Sequence, residues 1–146
     1  MIFRLDKRLA NDCYQLAESE HSLWLLLNNR YFPWFIVVPK TQCTELYQLT
    51  NEQQQQLQSE INLISEFVSS RFDCDKLNVA SIGNIVKQMH IHIIARNESD
   101  PCWPGVVWGT SFQQEHQIAE VQAIQEKLKS FCQHKNINGL QFASLQ

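Results

Sequence analysis

Glycine is scarce in these 146 residues, and its scarcity narrows the chemistry. Only Gly83, Gly105, Gly109 and Gly139 occur, which cannot build a Walker loop or a G-x-G-x-x-G turn. A P-loop or dinucleotide-fold grip on phosphate is therefore excluded. No G-x-S-x-G elbow is present, so Ser-His-Asp hydrolysis has no anchor. Cys13, Cys43, Cys74, Cys102 and Cys132 are odd in number, scattered, and form no C-x-x-C pair. Reduced thiols fit that pattern better than a disulfide framework or a cysteine-rich zinc site. Charge of one sign is not in excess either. A net charge of −3 and a pI near 5.9 give no field that would attract nucleic acid or an anionic membrane. A small phosphorylated ligand needs only a few local donors and stays in play. No apolar run approaches the roughly 18 residues of a membrane span. The stretch "MIFRLDKRLAND" lacks the apolar centre of a signal peptide, and the expected location is cytoplasmic.

What is present reads as one domain over residues 1–146. The chain is 44% apolar and 18% charged, with no internal repeat and no linker. Thr50 followed by Gln53 is a capping-box signature, and Leu57, Ile61, Ile64 and Val68 recur at helical spacing. Together they predict a helix over about 51–72, with "NEQQQQLQSE" on its wet face. Ser111 with Gln114, ahead of Ile118, Val121, Ile124, Leu128 and Phe131, predicts a second helix over about 113–133. Four β-rich runs, at 22–28, 34–39, 77–82 and 88–95, are joined in pairs by short connections that suggest hairpins. The expected fold class is α+β with a mostly antiparallel sheet of about five strands. Residues 3–18 fit a short helix or an edge strand equally well, and a frayed tail is expected after Ala143.

The chemistry concentrates in "GNIVKQMHIHIIAR", residues 83–96. Met89, Ile91 and Ile93 alternate with Gln88, His90 and His92, as in a half-buried strand with two different faces. The pair of imidazoles has three readings. They are surface or hydrogen-bonded histidines without further role; or they share a metal ion, with His21, His116 or His134 as third ligand; or one of them is a nucleophile. A neutral imidazole is a competent nucleophile toward phosphorus near neutral pH.

This stretch resembles the histidine triad (HIT) motif, His-φ-His-φ-His-φ-φ with φ apolar, following a Gly-Gln turn. Gly83 and Asn84 match the turn, His90 and His92 the second and third histidines, and Arg96 the basic end. Upstream, "LLLNNRYFPWFIVVPK" and the helix after it are similar to the family's nucleotide-binding strand pair, so the motif-bearing part covers about 20–96. The C-terminal loop and helix, about 100–135, are less constrained. With "DPCWPGVVWG" following, the chain looks like a small bacterial branch described as diadenosine-tetraphosphate-hydrolase-like. The resemblance implies a HIT-like domain with a long helix after the first hairpin and a C-terminal helix. It implies hydrolysis or transfer of a nucleotide from a dinucleoside polyphosphate through a covalent nucleotidyl-histidine, in a homodimer. His90 would be the nucleophile, His92 a donor to phosphate oxygens, Asn28 or Asn29 a ribose neighbour, and Asn84 and Asn78 residues of the same cleft. No cofactor is required on this view; a divalent cation on the leaving phosphates is compatible with it.

One position departs from the pattern. Gln88 stands where the motif has its first histidine, and an amide does not titrate near neutral pH. A phosphate leaving group, with a second pKa near 6, can depart without a proton, whereas an amine needs a general acid. The expected preference is for phosphoanhydrides over nucleoside phosphoramidates. The alternative of another class is a nucleotide-binding module that has lost turnover. Trp34 is read as packing on the sheet, and Trp103 and Trp108 as loop aromatics able to cover a base. Arg30, Lys40, Lys87 and Arg96 are candidate phosphate partners.

Overall fold

The structure, a computed structural model, describes residues 2–146. Its strands are β1 (Cys13–Glu18), β2 (Ser22–Leu27), β3 (Trp34–Pro39), β4 (Lys76–Ser81), β5 (Ile91–Arg96) and β6 (Gln141–Phe142). They form one sheet in the order β4-β5-β3-β2-β1-β6, and each pairing is antiparallel. The α+β architecture is the one the sequence patterning indicates, with one strand more. The extra strand comes from the chain ends. The stretch that reads as helix or strand is both, a short α1 (Lys7–Asp12) running directly into β1. β6 forms just ahead of the expected frayed tail and pairs with β1, and Ala143 N donates to Leu16 O at 3.0 Å; residues 143–146 form neither helix nor strand.

All six residues of β3 are buried, because both faces of this central strand are covered. One face is covered by α2 (Asn51–Arg71) and α3 (Ile118–His134). Trp24, Leu26, Phe35, Val37, Ile91 and Ile93 of the sheet meet Leu57, Ile64 and Phe67 of α2 and Val121, Leu128 and Phe131 of α3 there. The start of α2 is the expected one. Thr50 Oγ1 accepts from Gln53 N at 3.1 Å, and Gln53 Oε1 accepts from Thr50 N at 2.9 Å.

The start of α3 is not where Ser111 and Gln114 place it. Residues 110–117 form neither helix nor strand, because Arg30 N donates to Gln114 O at 2.7 Å and two asparagine side chains hold Phe112 and His116. The box that opens the helix is Gln117 with Glu120, whose Oε1 accepts from Gln117 N at 2.9 Å. β5 also begins later than expected, at Ile91 rather than Gln88, since its pairing with β4 ends at Ser81↔Ile91. Residues 82–90 therefore form a loop, and that loop borders the site. All five cysteines are free thiols. Among the described residues no helix is long and apolar enough to cross a membrane.

Candidate active site

Alternation along β5 sends Ile91, Ile93 and Ala95 toward the helices. His92, Ile94 and Arg96 project from the opposite face, which no long helix covers. His90, just before the strand, joins them. His90 and His92 line one hollow of about 510 Å³ with Leu9 of α1, Gly83 and Asn84 of the 82–90 loop, and Trp108. That volume suits a small-molecule site. Gly83 turns the loop at φ +70°, a left-handed conformation that favours glycine. A second hollow of about 480 Å³, lined by Asn28 and Asn29, shares Arg8, Asp12, Leu27, Trp108 and Gly109 with the first. The two are adjoining parts of one concavity.

Hydrogen bonds assign the protons of both rings. His90 Nδ1 lies 2.7 Å from the carbonyl oxygen of Gln88. A carbonyl only accepts, so Nδ1 carries the proton and Nε2 keeps its lone pair. His92 has the opposite arrangement. Its Nδ1 accepts from Trp34 Nε1–H at 2.8 Å, so the neutral ring carries its proton on Nε2. Burial first, and the neighbouring His90 second, lower the His92 pKa to about 4. His92 is therefore a neutral donor at pH 7. The rings meet edge to face, with centroids 4.9 Å apart. A lone pair and an N–H are thus presented side by side, suited to attack on phosphorus and to holding a phosphoryl oxygen.

The remaining candidates divide. Asn84 borders the histidine hollow. Asn28 and Asn29 line the adjoining one, yet each is also tied to the 110–117 segment. Asn28 Oδ1 accepts from His116 N at 2.8 Å, and Asn29 Nδ2 donates to Phe112 O at 3.0 Å. Asn78 is not brought to the concavity, because its Oδ1 accepts from Arg96 Nη1 at 2.9 Å. Arg96 is not free for phosphate either. It is 1% exposed and pairs with Asp100 at 2.7 Å, and Nη2 donates to Gly105 O at 2.7 Å. Burial opposes ionisation of Asp100, but Arg96 and the N–H groups of Asn97 and Cys102 hold its pKa below the ordinary value. This pair secures the loop that leads to Trp108. Lys40 is engaged by Glu18 and Arg30 by Glu120. Lys87 lies at a neighbouring hollow with Asn84, Gln88 and His90.

Gln88 does not point its amide at the histidine hollow. Oε1 accepts from Asp6 N at 2.7 Å, and Nε2 donates to Arg4 O at 2.8 Å. As for a metal, no group of three His, Cys, Asp or Glu side chains is clustered among the described residues.

Comparison with known proteins agrees with this fold. The HIT domain family matches residues 8–99, more than half of the chain. The chain belongs to the HIT family. Crystal structures of histidine triad proteins superpose closely on this HIT domain. One from Marinobacter aquaeolei VT8 is 39% identical over 92% of this chain and 98% of that one, with a TM-score of 0.86. Another, from Sinorhizobium meliloti 1021, is 34% identical over 88% and 96%, with a TM-score of 0.85. A third, from Bradyrhizobium japonicum, is 36% identical over 88% and 96%, with a TM-score of 0.84. No curated protein matches the sequence. The family is one of nucleotide-binding hydrolases and transferases.

Three features of this HIT domain's site are absent from the sequence reading. Trp34 packs on the sheet as expected but also sets the His92 tautomer. Trp108 lies edge-on to both Trp34 and His92, at 5.6 and 5.2 Å between centroids, and joins the two hollows. Arg8 and Asp12 come in on α1 to line both. Trp34 and His92 are 58 residues apart in sequence, so no local spacing announces the pair.

Proposed function

We propose that this protein is a nucleotidyl hydrolase or transferase acting on dinucleoside polyphosphates, with His90 as nucleophile. The observation that carries the reading is the complementary protonation of two adjacent imidazoles in a nucleotide-sized hollow. His90 Nε2 attacks the α-phosphorus, the P–N bond forms, and the P–O bond to the remaining phosphates breaks. The positive charge on the His90 ring is shared with the Gln88 carbonyl through Nδ1–H. His92 Nε2–H donates to a phosphoryl oxygen. Water then attacks the same phosphorus, the P–N bond breaks, and the nucleoside monophosphate leaves with neutral His90 restored and one proton released to solvent. Asn84 borders the phosphates, and Asn28 faces the nucleoside from the adjoining hollow.

No step draws on a resident metal; a divalent cation would enter with the phosphate chain as part of the substrate. Residue 88 supplies no titrating acid, which favours phosphate over amine leaving groups. A cytoplasmic homodimer completes the proposal. The outer edge of β4 is open, and Val79, Ile82 and Ile85 are exposed near it. Sedimentation of the purified chain as a monomer at micromolar concentration would remove the dimer.

The test is to quench the protein with diadenosine tetraphosphate and search by mass spectrometry for a nucleotide on His90. An adduct that disappears in His90→Asn supports the enzyme. Tight AMP binding without any adduct supports the binding-module alternative and removes the catalytic reading. Faster cleavage of an AMP–lysine amidate than of the tetraphosphate would reject the leaving-group preference.

A further inference from the structure

We propose that Gln88 is a positioning residue whose side-chain amide docks the N-terminal segment as one wall of the nucleotide hollow. The proposal rests on reading that hollow as the nucleotide site. Residues 2–6 form neither helix nor strand. Arg4 O and Asp6 N flank Leu5 as the free edge groups of an extended chain do. The Gln88 amide meets both, accepting at 2.7 Å and donating at 2.8 Å, and so acts as a one-residue strand partner. Phe3 and Leu5 pack beneath this contact on the cluster that includes Trp34 and Ile36. Asp6, held there, accepts from Arg8 N through Oδ1 at 2.8 Å and so opens α1. That helix carries Arg8, Leu9 and Asp12 into the wall of the hollow. The carbonyl of the same Gln88 takes the His90 Nδ1 proton. One residue thus ties the wall by its side chain and the nucleophile by its backbone.

The chemistry of the contact selects an amide. A primary amide offers one acceptor and one donor, nearly parallel along one edge. The two nitrogens of an imidazole diverge and cannot serve Arg4 and Asp6 together. A carboxylate has two acceptors, one of which would face the Arg4 carbonyl. The departure from the motif's first histidine is on this view a feature of docking and not of proton transfer.

The full-length chain carrying Gln88→Glu or Gln88→His tests it, by hydrogen exchange at the Asp6 amide and by kinetics with diadenosine tetraphosphate. Expected in both variants at neutral pH are a roughly tenfold loss of Asp6 protection and a roughly tenfold rise in KM and in the AMP Kd, the scale of a lost hydrogen bond or two. Turnover at saturation should stay within about threefold. A protonated Glu again has one donor and one acceptor. Gln88→Glu should therefore regain protection as pH falls through the ordinary glutamate range, near 4.3. Unchanged protection overturns the docking role. A fall in kcat at constant KM overturns it too, placing residue 88 at the reacting atoms. Should either variant fail to fold, Leu9→Ala weakens the same wall without touching residue 88, and an unchanged KM there refutes the wall. Absence of a His90 adduct in the unmodified protein would strike the enzyme reading alone, because the exchange measurement needs no turnover.

Discussion

The two faces of the sheet are covered in different ways. On one side α2 and α3 lay down apolar stripes, and the few polar groups among them are fully paired. Glu60 accepts from Ser19, Ser22 and Trp24, and Gln125 Nε2 donates to Leu16 O and Ala143 O. That side coheres through buried area. The other side has no long helix. Two segments cover it, residues 2–12 and 97–117, irregular apart from the short α1 and each pinned by a few directed bonds from Gln88, from Asn28 and Asn29, and from Arg96. The hollows along α2, of about 100 and 360 Å³, are smaller than the pair beside the histidines. Irregular segments held at points leave a concavity, and their anchors can sit beside reactive groups.

This contrast is open to attack by mutation. The largest effect is expected from Arg96→Met, which strands Asp100 in a buried setting and should cost about 3–5 kcal/mol. It should also raise KM, because the loop it releases leads to Trp108; chemical denaturation and steady-state kinetics on the same sample check both. Phe67→Ala on the helical side should cost about 3–4 kcal/mol, by cavity formation among Phe35, Phe72 and Phe131. At temperatures where it stays folded, KM should not move. A shifted KM there would mean that the two faces are not separable.

Acidification comes next. Folding lowers the His92 pKa to about 4, so the unfolded chain takes up its proton first as pH falls. The stability this contributes is present above about 6.5 and is lost toward pH 4, to a limit of about 3 kcal/mol. Urea titrations at pH 7 and 4.5 should show the loss, reduced in His92→Asn. The smallest effect is expected from Trp34→Phe. It removes the donor to the neutral His92 ring and should cost about 1 kcal/mol. Without that bond the His92 pKa should rise toward its ordinary value, which NMR titration would read directly. No rise would leave burial and the neighbouring His90 as the causes.

The difference between the faces also governs what could be read from sequence. The span of α2 follows from a 3.6-residue stripe and a local cap, both within one turn or two of each other. The same Ser/Thr-x-x-Gln spacing misleads at Ser111, because Gln114 O is already committed to Arg30 N from the other end of the chain. The histidine pair is legible because strand alternation alone puts His90 and His92 on one side. Their protonation is not, since it depends on Trp34 and on the carbonyl geometry at Gln88. Asn28 and Asn29 look like ligand or turn residues; their ties to His116 and Phe112 span more than 80 positions.

By itself the sequence determined the α+β class, the stripes that bury the helices, the absence of a Walker or G-x-G-x-x-G loop, and the pairing of two imidazoles on one strand face. These follow from periodicity and local sterics, which act over a few residues. Tertiary structure alone decided that Arg96 is a buried brace, that Gln88 grips the N-terminal segment, and that Trp34 sets a proton on His92. Hydrogen bonds between distant segments have no period, so only the folded chain brings their partners within reach.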